Sequence, residues 1–151
     1  MDWNESDVRR NRDYFEWKLR AIKQRADALK AIEQGPFDFV LLDTRGREAF
    51  AFGHITGAWC VPLDELESAA SRLPKDREIV TYCWSHDGHL SAKAALRLAE
   101  RGFYAKELNV GWKEWTANRH PTHVSTADGL HCSCTRFVPR SDPDEEASRV
   151  T

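Results

Sequence analysis

The sequence predicts an α/β domain built on a parallel β-sheet flanked by helices, with an extra long helix at its N-terminal end. Three observations point there. Short apolar or β-branched runs alternate with stretches of helical periodicity along the middle of the chain, the order produced by parallel strands joined through crossover helices. The run Phe37-Asp-Phe-Val-Leu-Leu-Asp43 is almost continuously apolar and ends in an acid, as expected of a strand covered on both faces. Another such run ends at Cys83 and is followed by a polar, glycine-containing loop and then a helical pattern. A thiol is thereby set at the carboxyl end of a strand, where open α/β sheets place their sites.

Taken in order, the first element is helical. Leu19, Ile22, Ala26, Leu29 and Ile32 recur at helical steps, so one helix is expected over about residues 8–32, stopped by Gly35-Pro36. Tyr14, Phe15 and Trp17 on its first half are expected to pack on the domain, with a homodimer surface as the alternative. Strands are expected at 37–43, 58–62, 78–82 and, more weakly, 105–109, with helices at 47–52, 63–72, 91–101 and 112–118 between and after them. Beyond Pro121 the periodicity fades. Residues 138–151, with two prolines and the run Asp142-Pro-Asp-Glu-Glu146, are expected to be a solvated or disordered tail. The organisation expected is an N-terminal helical extension over 1–35, a domain over 36–121 and a C-terminal tail over 122–151.

Composition excludes several classes. Hydrophobic residues at 41% and charged residues at 30% fit a globular protein, and a net charge of −2 gives no electrostatic case for nucleic acid or an anionic membrane. No apolar run approaches the roughly 18 residues of a membrane-spanning helix, and the first residues lack the basic and apolar regions of a signal peptide. Four cysteines, at 60, 83, 132 and 134, do not form the pattern of a disulfide scaffold, so a reducing cytoplasm is the expectation.

Cys83 is the residue with the sharpest chemistry. At a strand end facing a helix N-terminus, it meets unpaired N–H groups and the positive end of the helix dipole, which favour the nucleophilic thiolate. Cys60, between Trp59 and Val61 in an apolar strand, is expected to be a buried structural thiol.

The segment Asp43-Thr-Arg45-Gly-Arg-Glu48-Ala-Phe50, continuing to Gly53-His-Ile-Thr-Gly57-Ala58, resembles the first signature of rhodanese-like domains. Cys83 stands where that family keeps its catalytic cysteine, and Gly111-Trp-Lys-Glu-Trp115 is similar to its closing glycine-aromatic helix. The resemblance covers about residues 37–121. It implies a sulfurtransferase without a cofactor. Cys83 would take sulfane sulfur from a donor such as thiosulfate as a persulfide, then pass it to a thiol, cyanide or a sulfur-carrier protein. Trp84, Ser85, His86, Asp87, Gly88 and His89 would bind the substrate, their N–H groups cradling the charge. Trp84 is expected to wall the pocket, and Trp112 and Trp115 to pack on the core. Arg45 and Glu48 are spaced to pair, Asp43 is expected to accept backbone N–H groups, and the family keeps a structural histidine at the position of His54.

The loop departs from the family in length and charge. From Cys83 to Leu90 there are eight residues and no arginine, so the guanidinium fork of a related phosphatase is missing. The Cys-Trp start and the alanines of the next helix resemble a bacterial subset of the family. His86 and His89, with Asp87 orienting one ring, are candidates to replace the lost positive charge. Two rival readings remain: a non-catalytic binding or redox-sensing module, and a metal-binding protein using His123, His131, Cys132 and Cys134. The same two C-terminal thiols could instead relay sulfur from Cys83. Their Cys-x-Cys spacing is tighter than usual zinc patterns.

Overall fold

The computed structural model describes residues 1–136. Its elements in chain order are α1 (Glu5–Arg20), β1 (Ile22–Lys23), α2 (Arg25–Gln34), β2 (Val40–Asp43), α3 (Arg47–Phe52), β3 (His54–Ile55) and β4 (Trp59–Cys60). Then follow a short helix α4 (Leu66–Ala69) flanked by 3-10 turns, β5 (Ile79–Tyr82), α5 (Leu90–Glu100), β6 (Ala105–Leu108), α6 (Trp112–Ala117) and β7 (Thr122–His123). Five strands form a parallel sheet in the order β1-β6-β5-β2-β4. β3 and β7 form a separate antiparallel pair.

The continuous apolar runs lie in the middle of the sheet. Alternation along β2 sends Val40 and Leu42 to one face and Phe39 and Leu41 to the other. The first face is closed by Leu66 and Ala69 of α4 and by Ala94 and Leu98 of α5. The second is closed by Ala28 and Ile32 of α2, Phe50 of α3 and Trp115 of α6. Helices on both faces are what a parallel sheet requires.

The single helix expected over 8–32 is divided. α1 ends at Ala21, and Ile22 and Lys23 instead extend the sheet edge beside Glu107 and Leu108. The Asn109 side chain accepts the Arg25 N–H at 2.8 Å and so restarts the helix as α2. Both effects are tertiary, which local periodicity does not register. α1 itself starts in a reciprocal capping box between Asn4 and Asp7, and it buries no residue. Tyr14, Phe15 and Trp17 do not pack on the domain as expected; they stand 59%, 48% and 65% exposed.

The segment after Pro121 is part of the packed structure as far as residue 136. β7 pairs with β3, Leu130 is buried, and its carbonyl accepts the Cys60 N–H at 2.8 Å. The tail expected over 138–151 lies outside the described residues. Among those described, no helix is long and apolar enough to cross a membrane.

A buried polar network fixes the carboxyl ends of the central strands. Asp43 pairs with Arg45 through both carboxylate oxygens, at 3.0 and 2.7 Å, and accepts the Arg45 N–H at 3.0 Å. The Tyr82 hydroxyl donates to Asp43 at 2.7 Å and accepts the Ile55 N–H at 3.0 Å. The expected Arg45–Glu48 pair is thus replaced by Arg45–Asp43, because the strand-end carboxylate is buried with the guanidinium whereas Glu48 lines an open groove. Tyr82→Phe removes the hydroxyl and strands the Ile55 N–H. It is expected to cost about 1–3 kcal/mol in urea denaturation.

Glu78 ties the other side of the sheet, accepting from Lys23 at 2.9 Å and pairing with Lys106 at 3.0 Å. Burial pushes its carboxyl up, but the hydrogen bonds from the two lysines outweigh this and hold it below the usual carboxylate range. The resulting stabilisation is present above the ordinary glutamate value of about 4.3 and is lost as pH falls through the lower folded value. Glu78→Gln is expected to lessen the fall in melting temperature on acidification below about pH 4.3.

Candidate active site

Cys83 follows β5 directly and is 2% exposed. Its sulfur lies 3.4 Å from the Ser91 hydroxyl and 3.6 Å from the Ser85 carbonyl oxygen, either of which can accept its proton. The Ser91 hydroxyl donates onward to Glu107 at 2.8 Å, so thiol, hydroxyl and carboxylate form a chain. Sequence reasoning missed Ser91 and Glu107 as site residues. Ser91 read as a helix residue and Glu107 as part of a strand; only the β5–β6 register, Thr81 opposite Glu107, brings that carboxylate beside the thiol.

The loop is a tight turn. The Ser85 carbonyl accepts the Gly88 N–H at 3.1 Å, and the Ser85 hydroxyl donates to Asp87 at 2.5 Å, which holds the Asp87 carboxyl below the usual range. His86 gives both its backbone N–H and its ring Nδ1 to Glu114, at 2.6 and 2.5 Å. Burial pushes the Glu114 carboxyl up, but these His86 bonds outweigh it and leave it lower than usual. The expected pairing of Asp87 with a histidine is therefore corrected: Glu114, from α6, holds His86, while Asp87 is taken by Ser85. The expected cradle is narrower too, since the N–H groups of His86 and Gly88 are turned to protein acceptors. The amino end of α5 has no side-chain cap, and its first-turn amides have no acceptor within the helix. His89 is exposed just before it.

Gly88 and Gly111 are placed by contact. A Cβ on Gly88 would lie 3.0 Å from the Cys83 sulfur, so the missing side chain leaves room beside the thiol. A Cβ on Gly111 would lie 2.4 Å from the Ser85 backbone. That close approach lets the Trp112 and Lys113 N–H groups bind the carbonyls of Cys83 and Trp84, each at 2.8 Å. The loop thus supplies acceptors for the otherwise unpaired first turn of α6.

Beside the loop is a groove of about 350 Å³ lined by Arg45, Glu48, Phe52, Gly53, Trp84 and Trp112. The Arg45 guanidinium lies between the rings of Trp84 and Trp112, 4.6 and 4.7 Å from their centres. Trp84 walls this groove, which Cys83 itself does not line. Trp112 shares that wall and, being partly buried, also packs on the core beside Trp115, which is fully buried.

The remaining cysteines fall into two groups. Cys60 is fully buried, and desolvation pushes its thiol up to about 11. Cys132 and Cys134 lie with their sulfurs 3.1 Å apart, each 3.3 Å from Nε2 of His54. Burial raises Cys134, to about 12, and also opposes a thiolate at Cys132. There, however, hydrogen bonds from Cys134 and Thr135 outweigh burial and lower the thiol. The rival metal set that the sequence offered is not brought together as such. His123 instead meets Ser133 at 3.0 Å and His131 packs edge-on against Trp59. His54 is the histidine that reaches the thiols.

Gly111→Ala is expected to displace the loop, because the clash is with backbone and no side chain can turn away. The measurement is the rate of Cys83 alkylation in folded protein, expected to change severalfold, with a stability loss of about 1–3 kcal/mol.

Comparison with known proteins agrees with this architecture. The putative sulfur carrier protein YrkF of Bacillus subtilis is 34% identical over 103 residues, covering 67% of this chain and 50% of that relative. This chain thus spans about half the relative's length. The thiosulfate sulfurtransferase GlpE of Coxiella burnetii is 29% identical over 86 residues, 56% of this chain and 78% of the relative. The crystal structure of the BH2092 protein from Bacillus halodurans superposes with a TM-score of 0.70 at 25% identity, covering 96% of this chain and 99% of that one. A family profile described as the rhodanese-like domain matches residues 24–118. With the strand-end cysteine, the Asp43–Arg45 turn and the Gly111 helix in place, the chain belongs to the rhodanese-like domain family.

Proposed function

We propose that this protein transfers sulfane sulfur through a persulfide on Cys83. The observation that supports the reading most directly is the position of that thiol, between the uncapped end of α5 and the Ser91–Glu107 chain. The Cys83 proton passes to the Ser91 oxygen as Ser91 gives its own to Glu107 or to water. The thiolate then attacks the outer sulfur of a donor such as thiosulfate. A sulfur–sulfur bond forms at Cys83, the donor's sulfur–sulfur bond breaks, and sulfite departs with the electron pair. The space beside Gly88 receives the added sulfur, and the first-turn amides of α5 face its charge. An acceptor thiol, cyanide or the thiol of a carrier protein attacks the outer sulfur and restores Cys83. The groove walled by Trp84 and Trp112 is the approach for that acceptor.

The test is the intact mass of the protein after incubation with thiosulfate, alongside Cys83→Ser and Gly88→Ala. A gain of one sulfur in the parent chain, none in Cys83→Ser and at least about tenfold less in Gly88→Ala is expected, since small displacements at a reacting atom cost that much or more. No gain with thiosulfate would remove it as donor. No gain with any sulfane donor, Cys83 remaining a free thiol, would replace the enzymatic reading by that of a binding module.

A further inference from the structure

We propose that His54, Cys132 and Cys134 bind a thiophilic d10 metal ion, zinc above all, and that the ion fastens the C-terminal segment to the domain. The three ligand atoms lie within 4.8 Å of one another. They come from parts of the chain 78 and 80 residues apart, so the cluster is made by the fold and not by a local motif.

The histidine is prepared as a ligand. Its Nδ1 lies 2.7 Å from the Phe50 carbonyl, which can only accept, so the ring proton sits on Nδ1 and Nε2 presents a lone pair to the sulfurs. Stacking on Phe50, with ring centres 3.6 Å apart, and an edge contact with His123 hold the ring in that direction. His54 is fully buried. The sulfurs are met by donors as well. The Gly57 N–H points to Cys134 at 3.3 Å, and the Cys134 N–H points to Cys132 at 3.4 Å. Such N–H groups stabilise sulfur in the charged form that a metal requires.

Ligand spacing fits a small expansion on binding. Tetrahedral zinc bonds of about 2.3 Å to sulfur and 2.0–2.1 Å to nitrogen put the sulfurs about 3.8 Å apart and sulfur and nitrogen about 3.6 Å apart. The distances here are 3.1 Å and 3.3 Å. Binding moves each atom outward by a few tenths of an ångström and releases the two thiol protons to solvent. Three protein ligands leave the fourth position to water or another small ligand. A Cys132–Cys134 disulfide is the competing fate of these thiols. It removes both S–H donors and leaves the buried Nε2 of His54 without a partner, whereas a metal satisfies all three atoms at once.

Zinc titration of the reduced full-length protein, with a chromogenic chelator as competitor, tests the proposal. One zinc per chain is expected, equally in Cys83→Ser, with a melting temperature that rises with zinc concentration. Cobalt in place of zinc should give a near-ultraviolet thiolate-to-cobalt charge-transfer band and the intense visible bands of a tetrahedral ion. Cys134→Ser, at a half-buried position, should weaken binding at least about a hundredfold and abolish the charge-transfer band or reduce it by about half. Circular dichroism confirms that the variant is folded. Absence of zinc binding in the reduced parent chain would overturn the site, as would binding unchanged in folded Cys134→Ser.

Discussion

The buried carboxylate of Asp43 is the constraint on which the rest of the structure depends. It sits at the end of a central strand with no water to solvate it, so it must be paired within the protein. Arg45 folds back over the strand end to do this, and Tyr82 reaches across from the neighbouring strand. The same tyrosine takes the Ile55 N–H, and the same arginine donates to the Gly53 carbonyl at 2.6 Å. One acid thereby fixes the ends of two strands and the chain between α3 and β4. A pair of this kind contributes little net stability over a well-packed apolar alternative, but it is costly to break. Its consequence is geometric: Cys83 follows Tyr82 by one residue and leaves the sheet at a fixed place.

The loop that Cys83 opens is held from the other side by α6. Two N–H groups of the helix bind its carbonyls, Glu114 binds His86 twice, and Gly111 permits the contact. Arg45 joins the two supports, because its guanidinium lies between Trp84 of the loop and Trp112 of the helix. The Cys83 sulfur is thus positioned from both sides, by the strand-end network and by α6. In the second thiol cluster, likewise, a histidine directed by Phe50 faces two sulfurs from the C-terminal segment.

How much of this could be read in the residues varies with the range of the interaction. β2 and β5 were legible because burial on both faces forces continuous apolar runs, and α3, α5 and α6 because their periodicity lies within one segment. β1, β3 and β7 were not, each being two residues long and stabilised wholly by its partner. The division of the first helix escaped for the same reason, since Asn109 and β6 supply what Ile22 and Arg25 cannot. Tyr14, Phe15 and Trp17 are amphipathic in pattern, yet pattern alone does not provide a surface to cover them.

By itself, the sequence determined the α/β class and the strand-end placement of Cys83, because those follow from local periodicity, turn chemistry and the spacing of a recognisable signature. Only the tertiary structure decided the partners. Arg45 pairs with Asp43 and not Glu48, His86 with Glu114 and not Asp87, Ser91 with Glu107, and His54 with Cys132 and Cys134. The physical reason is common to all four. A polar side chain, buried or exposed, pairs with whichever complementary group the packing of strands and helices brings within about 3 Å, and that neighbour can lie anywhere along the chain.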